Sequence, residues 1–166
     1  MPGVSPLRVL GLHSLMADII STEEFQKLTR RLVGLPVSKI WRGFGSAVFF
    51  EFGKLSQSGT RQAKGEATVM LESSWRVEKA KSVMFGTFSG ERKIAHGLQS
   101  LAGREVFNVT VEGRLPEIVI QLSGGLWVHS FTTAEGHPEW TLFLPGNICL
   151  SSRHGRLEKE ACAENG

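Results

Sequence analysis

Ala67-Thr68-Val69-Met70-Leu71-Glu72-Ser73-Ser74-Trp75-Arg76-Val77-Glu78 is the stretch in which the period of the chain is plainest. Ala67, Val69, Leu71, Trp75 and Val77 fall on one side of an extended backbone, and Thr68, Met70, Glu72, Ser74, Arg76 and Glu78 on the other. One dry face and one mostly wet face are what an antiparallel strand needs when its sheet covers a core on one side only. These twelve residues exceed an ordinary strand, so a bend or bulge is expected near Ser73 and Ser74.

The same period extends outward. Residues 37–42 and 46–53 read as a hairpin around Gly43-Phe44-Gly45, with Val48, Phe50 and Phe52 on one side. Residues 83–88 form another strand, and 105–112, 117–122, 126–132 and 140–144 a meander, with Gly124-Gly125 as its tightest turn. Two segments switch to helical spacing. Residues 22–33 follow an S-x-x-E capping box of Ser21 and Glu24, carry Lys27, Arg30 and Arg31 toward the negative end of the dipole, and stop at Gly34 and Pro36. Residues 90–101 place Ile94, Leu98 and Leu101 on one face before Gly103. The expected fold class is α+β: a mostly antiparallel sheet of about eight short strands, in hairpins and a meander, with two helices packed against it. Phe50, Val69, Leu71, Trp75, Val109, Ile120 and Trp140 are expected in its core.

With 166 residues, 41% hydrophobic and 21% charged, the chain suffices for one ordinary domain, expected over 21–146. Residues 1–20 read as an N-terminal extension, with Leu12, Leu15, Met16, Ile19 and Ile20 at helical spacing. Arg8 is its one side-chain cation, Asp18 interrupts its apolar stretch and no small-x-small site follows, so it does not read as a signal peptide. Met16 is a candidate start, because the coherent domain begins just after it. Residues 147–166 read as a polar tail, poorly ordered beyond about 150. No apolar run approaches the roughly 18 residues of a membrane span.

Residue counts exclude several chemistries. Among 16 acidic residues Asp18 is the one aspartate, too few for a calcium loop, a magnesium-dependent phosphoryl-transfer site or an Asp-completed serine triad. Cys149 and Cys162 make neither a zinc spacing nor a CxxC motif and read as separate buried or tail thiols in a reducing cytoplasm. Gly43-x-Gly45 precedes a strand, whereas a phosphate-binding glycine loop opens a helix. The five histidines are widely spaced; no metal and no cofactor is expected.

What remains are two groups. Glu72, Arg76, His129, Glu135 and His137 are the candidates for acid–base chemistry, should the sheet bring their strands together. Lys54, Arg61 and Lys64 lie in an acid-free loop, 53–65, and equal the whole net charge of +3. That loop has no aromatic residue between its cations, so it gives no strong nucleic-acid signal and points instead to an acidic protein partner.

The segment Thr133-Ala134-Glu135-Gly136-His137-Pro138-Glu139-Trp140-Thr141-Leu142, with Leu122-Ser123-Gly124-Gly125-Leu126 and Phe49-Phe50-Glu51-Phe52-Gly53, is similar to a group of small uncharacterised bacterial α+β domains. Some of these are suspected to be toxin-immunity proteins. The resemblance covers residues 34–146 in outline and carries over no catalytic residue. It implies a bacterial, cytoplasmic, protein-binding role. The expected function is therefore a non-enzymatic protein- or ligand-binding module, with a small Glu/His enzyme as the alternative.

Overall fold

The computed structural model describes residues 16–57, 59 and 61–162. Leu12 and Leu15 lie outside the described residues, as does the question of a start at Met16. Within them the chain is α+β and antiparallel throughout, but it holds twelve strands in two sheets rather than about eight in one. Strands β1 (Asp18–Ile20), β2 (Val37–Arg42), β3 (Val48–Phe52), β4 (Ala67–Leu71), β10 (Trp140–Leu144), β11 (Ile148–Arg153) and β12 (Arg156–Ala161) form a seven-stranded sheet in the order β1-β12-β11-β10-β4-β3-β2. Strands β5 (Trp75–Lys79), β6 (Ser82–Gly86), β7 (Val106–Glu112), β8 (Glu117–Leu122) and β9 (Leu126–Ser130) form a five-stranded sheet in the order β6-β5-β9-β8-β7.

Both helices do the same topological job. Helix α1 (Thr22–Thr29) joins β1 to β2, the two edges of the larger sheet, and α2 (Glu91–Leu101) joins β6 to β7, the two edges of the smaller one. Ser21 caps α1 by accepting a hydrogen bond from the Glu24 amide at 3.1 Å. Glu24 does not complete the capping box: its carboxylate accepts from Lys159 on β12 at 2.8 Å, which raises the lysine pKa. A 3-10 turn (Arg30–Leu32) ends the helix, and Phe25 meets Trp140 edge-on at 5.8 Å between ring centroids. In α2 a glycine is required by contact: a Cβ at Gly97 would lie 2.5 Å from the Phe85 ring of β6.

The bend expected at Ser73 and Ser74 is a change of sheet. The chain leaves the larger sheet between β4 and β5 and returns once, between β9 and β10. The two crossings bind each other. Glu72 N–H donates to the Glu139 carbonyl and Phe131 N–H to the Ser74 carbonyl, both at 2.8 Å, and the buried Glu139 carboxylate accepts from the Ser73 amide at 3.2 Å. On another side of the core, Gly34, Leu35 and Val37 exchange backbone bonds of 2.7–2.9 Å with Gly103, Arg104 and Val106, tying the edges β2 and β7. The residues expected in the core are there: Phe50, Val69, Leu71, Trp75, Val109, Ile120 and Trp140 all belong to one buried cluster fed by both sheets and both helices.

Three further expectations are corrected. Residues 148–161 are not a poorly ordered tail: they form β11 and β12, and Asp18–Ile20 pairs with β12 in place of a helix. Cys149 and Cys162 are not separate thiols but a disulfide spanning 13 residues, from the face of β11 to the residue after β12. A free-thiol argument for a reducing compartment therefore has no footing. No helix among the described residues is long and apolar enough to cross a membrane.

Trp75 sits where the change of sheet begins, is 2% exposed and donates its indole N–H to the Ser46 carbonyl at 2.9 Å. Trp75→Ala is expected to cost about 3–5 kcal/mol, read from denaturant midpoints. Cys162→Ser removes a cross-link whose loss is expected to cost about 3 kcal/mol and to leave the rest of the sheet paired, read by the same titration and by amide exchange in β10.

Candidate functional site

The acid–base candidates separate into three places. Arg76 and His129 are register partners on the outer face of the five-stranded sheet. Arg76 is ion-paired with Glu78, and its guanidinium lies 4.1 Å from the centroid of the Phe131 ring. His129 stacks on Phe131 at 4.8 Å, its Nδ1 bonds to the Ser130 carbonyl at 2.6 Å and its Nε2 is 3.9 Å from Glu112. This is a cross-strand packing cluster with its polar atoms engaged. Glu72 is exposed, and it is the backbone of this residue that works, in the crossing. Glu135 and His137 share a cavity of about 420 Å³ at one end of the molecule. The end cavity holds Glu135 without Glu72, Arg76 or His129, and Arg76 lines a separate cavity. Among the described residues no three His, Cys, Asp or Glu side chains converge as metal ligands.

A larger cavity lies elsewhere, on the outer face of the seven-stranded sheet. Antiparallel register places Trp41, Phe49 and Met70 side by side on β2, β3 and β4, and sets Glu51, Thr68 and Phe143 in the next outward-facing row. Trp41 and Phe49 stack at 3.8 Å with planes 3° apart, and Trp41, Phe49, Met70 and Phe143 stay partly exposed around a groove of about 600 Å³. That is the size and character of a binding site rather than of a solvated sheet face.

Glu51 is the floor of the groove and is 1% exposed. Its carboxylate is tolerated there because three donors meet it: the Trp41 indole N–H at 3.0 Å, the Gly65 amide at 2.9 Å and the Thr68 hydroxyl at 2.5 Å. Gly65 can come this close only without a side chain, since a Cβ would lie 2.4 Å from the Phe52 carbonyl oxygen. One buried charge thus holds the Trp41 ring on Phe49 and brings the end of the basic loop to the sheet.

That loop forms one rim. Ser56 and Lys64 exchange backbone bonds at 2.8 and 2.9 Å, Lys39 on β2 donates to Gln62 at 2.5 Å, and Glu66 accepts from the Lys54 amide at 2.7 Å. Lys54, Arg61 and Lys64 are all exposed, and Lys64 lines the groove. Cys162 lines the other end, so the disulfide anchors that wall. The sequence carries a trace of the groove in Trp41, Phe49, Met70 and Phe143, apolar residues in the polar phase of their strands, but it does not show that they are neighbours.

No family model matches the chain, and no curated protein and no solved structure matches it either.

Glu51→Ala would leave the three donors without their acceptor in a site closed to water. A loss of about 3 kcal/mol is expected, with faster exchange of the Trp41 indole proton in NMR spectra; Glu51→Gln, which keeps one acceptor oxygen, is expected to fall between.

Proposed function

We propose that the chain is a non-enzymatic binding module whose partner is a protein presenting an acidic segment with an apolar anchor side chain. The supporting observation is the join between two features: an aromatic groove, pre-arranged by Glu51, and an acid-free loop that brings Lys64 to its rim and carries Lys54 and Arg61 exposed nearby in sequence. Apolar walls supply affinity once water is displaced, and exposed cations beside the groove speed encounter and reject partners of like charge. Recognition of a single cognate protein, as an immunity protein recognises its toxin, is the form this takes under the resemblance of residues 34–146. A Glu/His enzyme would have to draw its acid and base from Glu135 and His137 in the end cavity, since Glu72, Arg76 and His129 lie elsewhere.

Display selection of ten-residue peptides against the chain tests this directly. Selected peptides are expected to be acidic around one apolar residue; basic or uniformly polar sequences sink the reading. Against such a peptide, replacing Lys54, Arg61 and Lys64 together by Gln is expected to slow association about tenfold at low salt and to flatten its salt dependence, with an unchanged melting temperature. Phe143→Ala should instead speed dissociation. Wild-type rates and salt slope in the triple variant would show the charge to be incidental.

A further inference from the structure

The end cavity that holds Glu135 and His137 is walled by two separate segments. One is the crossing loop after β9, which brings Thr132, Glu135 and His137; the other is the β11–β12 turn, which brings Ser152, Arg153 and His154. Leu115, from the β7–β8 turn, adds an apolar surface. The turn itself is a two-residue hairpin connection, with His154 at φ 51° and Gly155 at φ 71°, so its backbone conformation needs no other explanation.

Two observations set the cavity apart from an ordinary gap between loops. The first is Ser152. It shares the inward phase of Leu150 and is 9% exposed, yet its hydroxyl has no hydrogen-bond partner among the described residues. Because no buried side-chain oxygen or nitrogen lacks a partner, the Ser152 Oγ must reach accessible space, and the cavity it lines is that space. The second is charge. Arg153 and Glu135 line the same cavity from opposite segments, and neither forms an ion pair or a side-chain hydrogen bond among the described residues, with each other or with anything else. A guanidinium and a carboxylate facing one volume without meeting leave a place for each sign.

We infer that this cavity binds a small zwitterion, its oxyanion held by Arg153 with the Ser152 hydroxyl and its ammonium group by Glu135. The guanidinium presents paired donors to a carboxylate or phosphate, and a hydroxyl completes the set at the buried end. The carbon chain between the charges lies against Leu115 and Ala134. About 420 Å³ accommodates a metabolite of amino-acid size and leaves room for its side chain. The site is independent of the aromatic groove, which shares no lining residue with it.

An isosteric series reads the two charges separately. The full chain is titrated with 4-aminobutyrate, butyrate and butylamine and followed by amide shifts, with Gly136 and Gly155 marking the two walls. The zwitterion is expected to bind at least tenfold tighter than either singly charged compound and to shift both amides. Arg153→Gln is expected to bring 4-aminobutyrate down to the affinity of butylamine, and Glu135→Gln to that of butyrate. Both side chains are exposed, so the melting temperature should hold. Equal affinity for all three compounds, preference for butyrate over the zwitterion, or shifts confined to residues away from both walls each overturn the assignment.

Discussion

The fold turns on the buried carboxylate of Glu139 and the backbone bonds beside it, where the two crossings between sheets meet. A chain that changes sheet exposes amides and carbonyls at the corner, because neither ladder reaches them. Here one crossing satisfies the other: the residues after β4 take their partners from the residues around β9 and β10. Neither corner would be stable alone. Since the chain changes sheet only at these two places, their union also fixes which strands belong to which sheet.

Both candidate sites are consequences of that partition. The loop of residues 131–139 is long because it must return the chain to the larger sheet, and its outer part stands away from the β11–β12 turn to leave the end cavity. The core that the larger sheet shares with the helices and the smaller sheet lies on its inner side, so its outer face is free to carry aromatic side chains that the core does not use. Those side chains would be a liability on a flat sheet. They are held instead in a groove, with Glu51 fixing the indole and a charged loop along the rim.

How much of this was legible follows from what period two can report. The phases of β3, β4, β5 and β10 were readable because each alternates, and five of the seven core residues, Phe50, Val69, Leu71, Trp75 and Trp140, followed from that phase. The number of sheets was not. Leu71 and Trp75 stand in the same phase, and a strand that folds round a corner keeps the same side inward, so one long bent strand and two strands in different sheets write the same pattern. Strand β12 was invisible for a different reason: in Arg156–Ala161 only Leu157 is a large apolar residue, and the segment is held by its ladder to β11, by β1 and by the disulfide. The disulfide itself escaped because its two cysteines are neighbours only once β11 and β12 pair. Of the five candidate site residues, Glu135 and His137 line one cavity, Arg76 and His129 meet in a stacked cluster whose polar atoms are already engaged, and Glu72 stands apart from both.

Glu51 shows why charge in a sequence is a poor guide to its use. In Phe49-Phe50-Glu51-Phe52 it looks like the solvated position of an amphipathic strand, and it occupies that phase. It is nonetheless buried, because the loop that follows β3 folds back over it and Gly65 delivers an amide to its carboxylate. The loop's cations then stand at the rim rather than on the carboxylate, since three neutral donors already satisfy it. Had a lysine of the loop paired with Glu51, one of its three charges would be cancelled and that side chain would occupy the groove. Satisfying the buried charge with an indole, an amide and a hydroxyl leaves positive charge beside an open apolar surface, and that separation makes the face suited to binding.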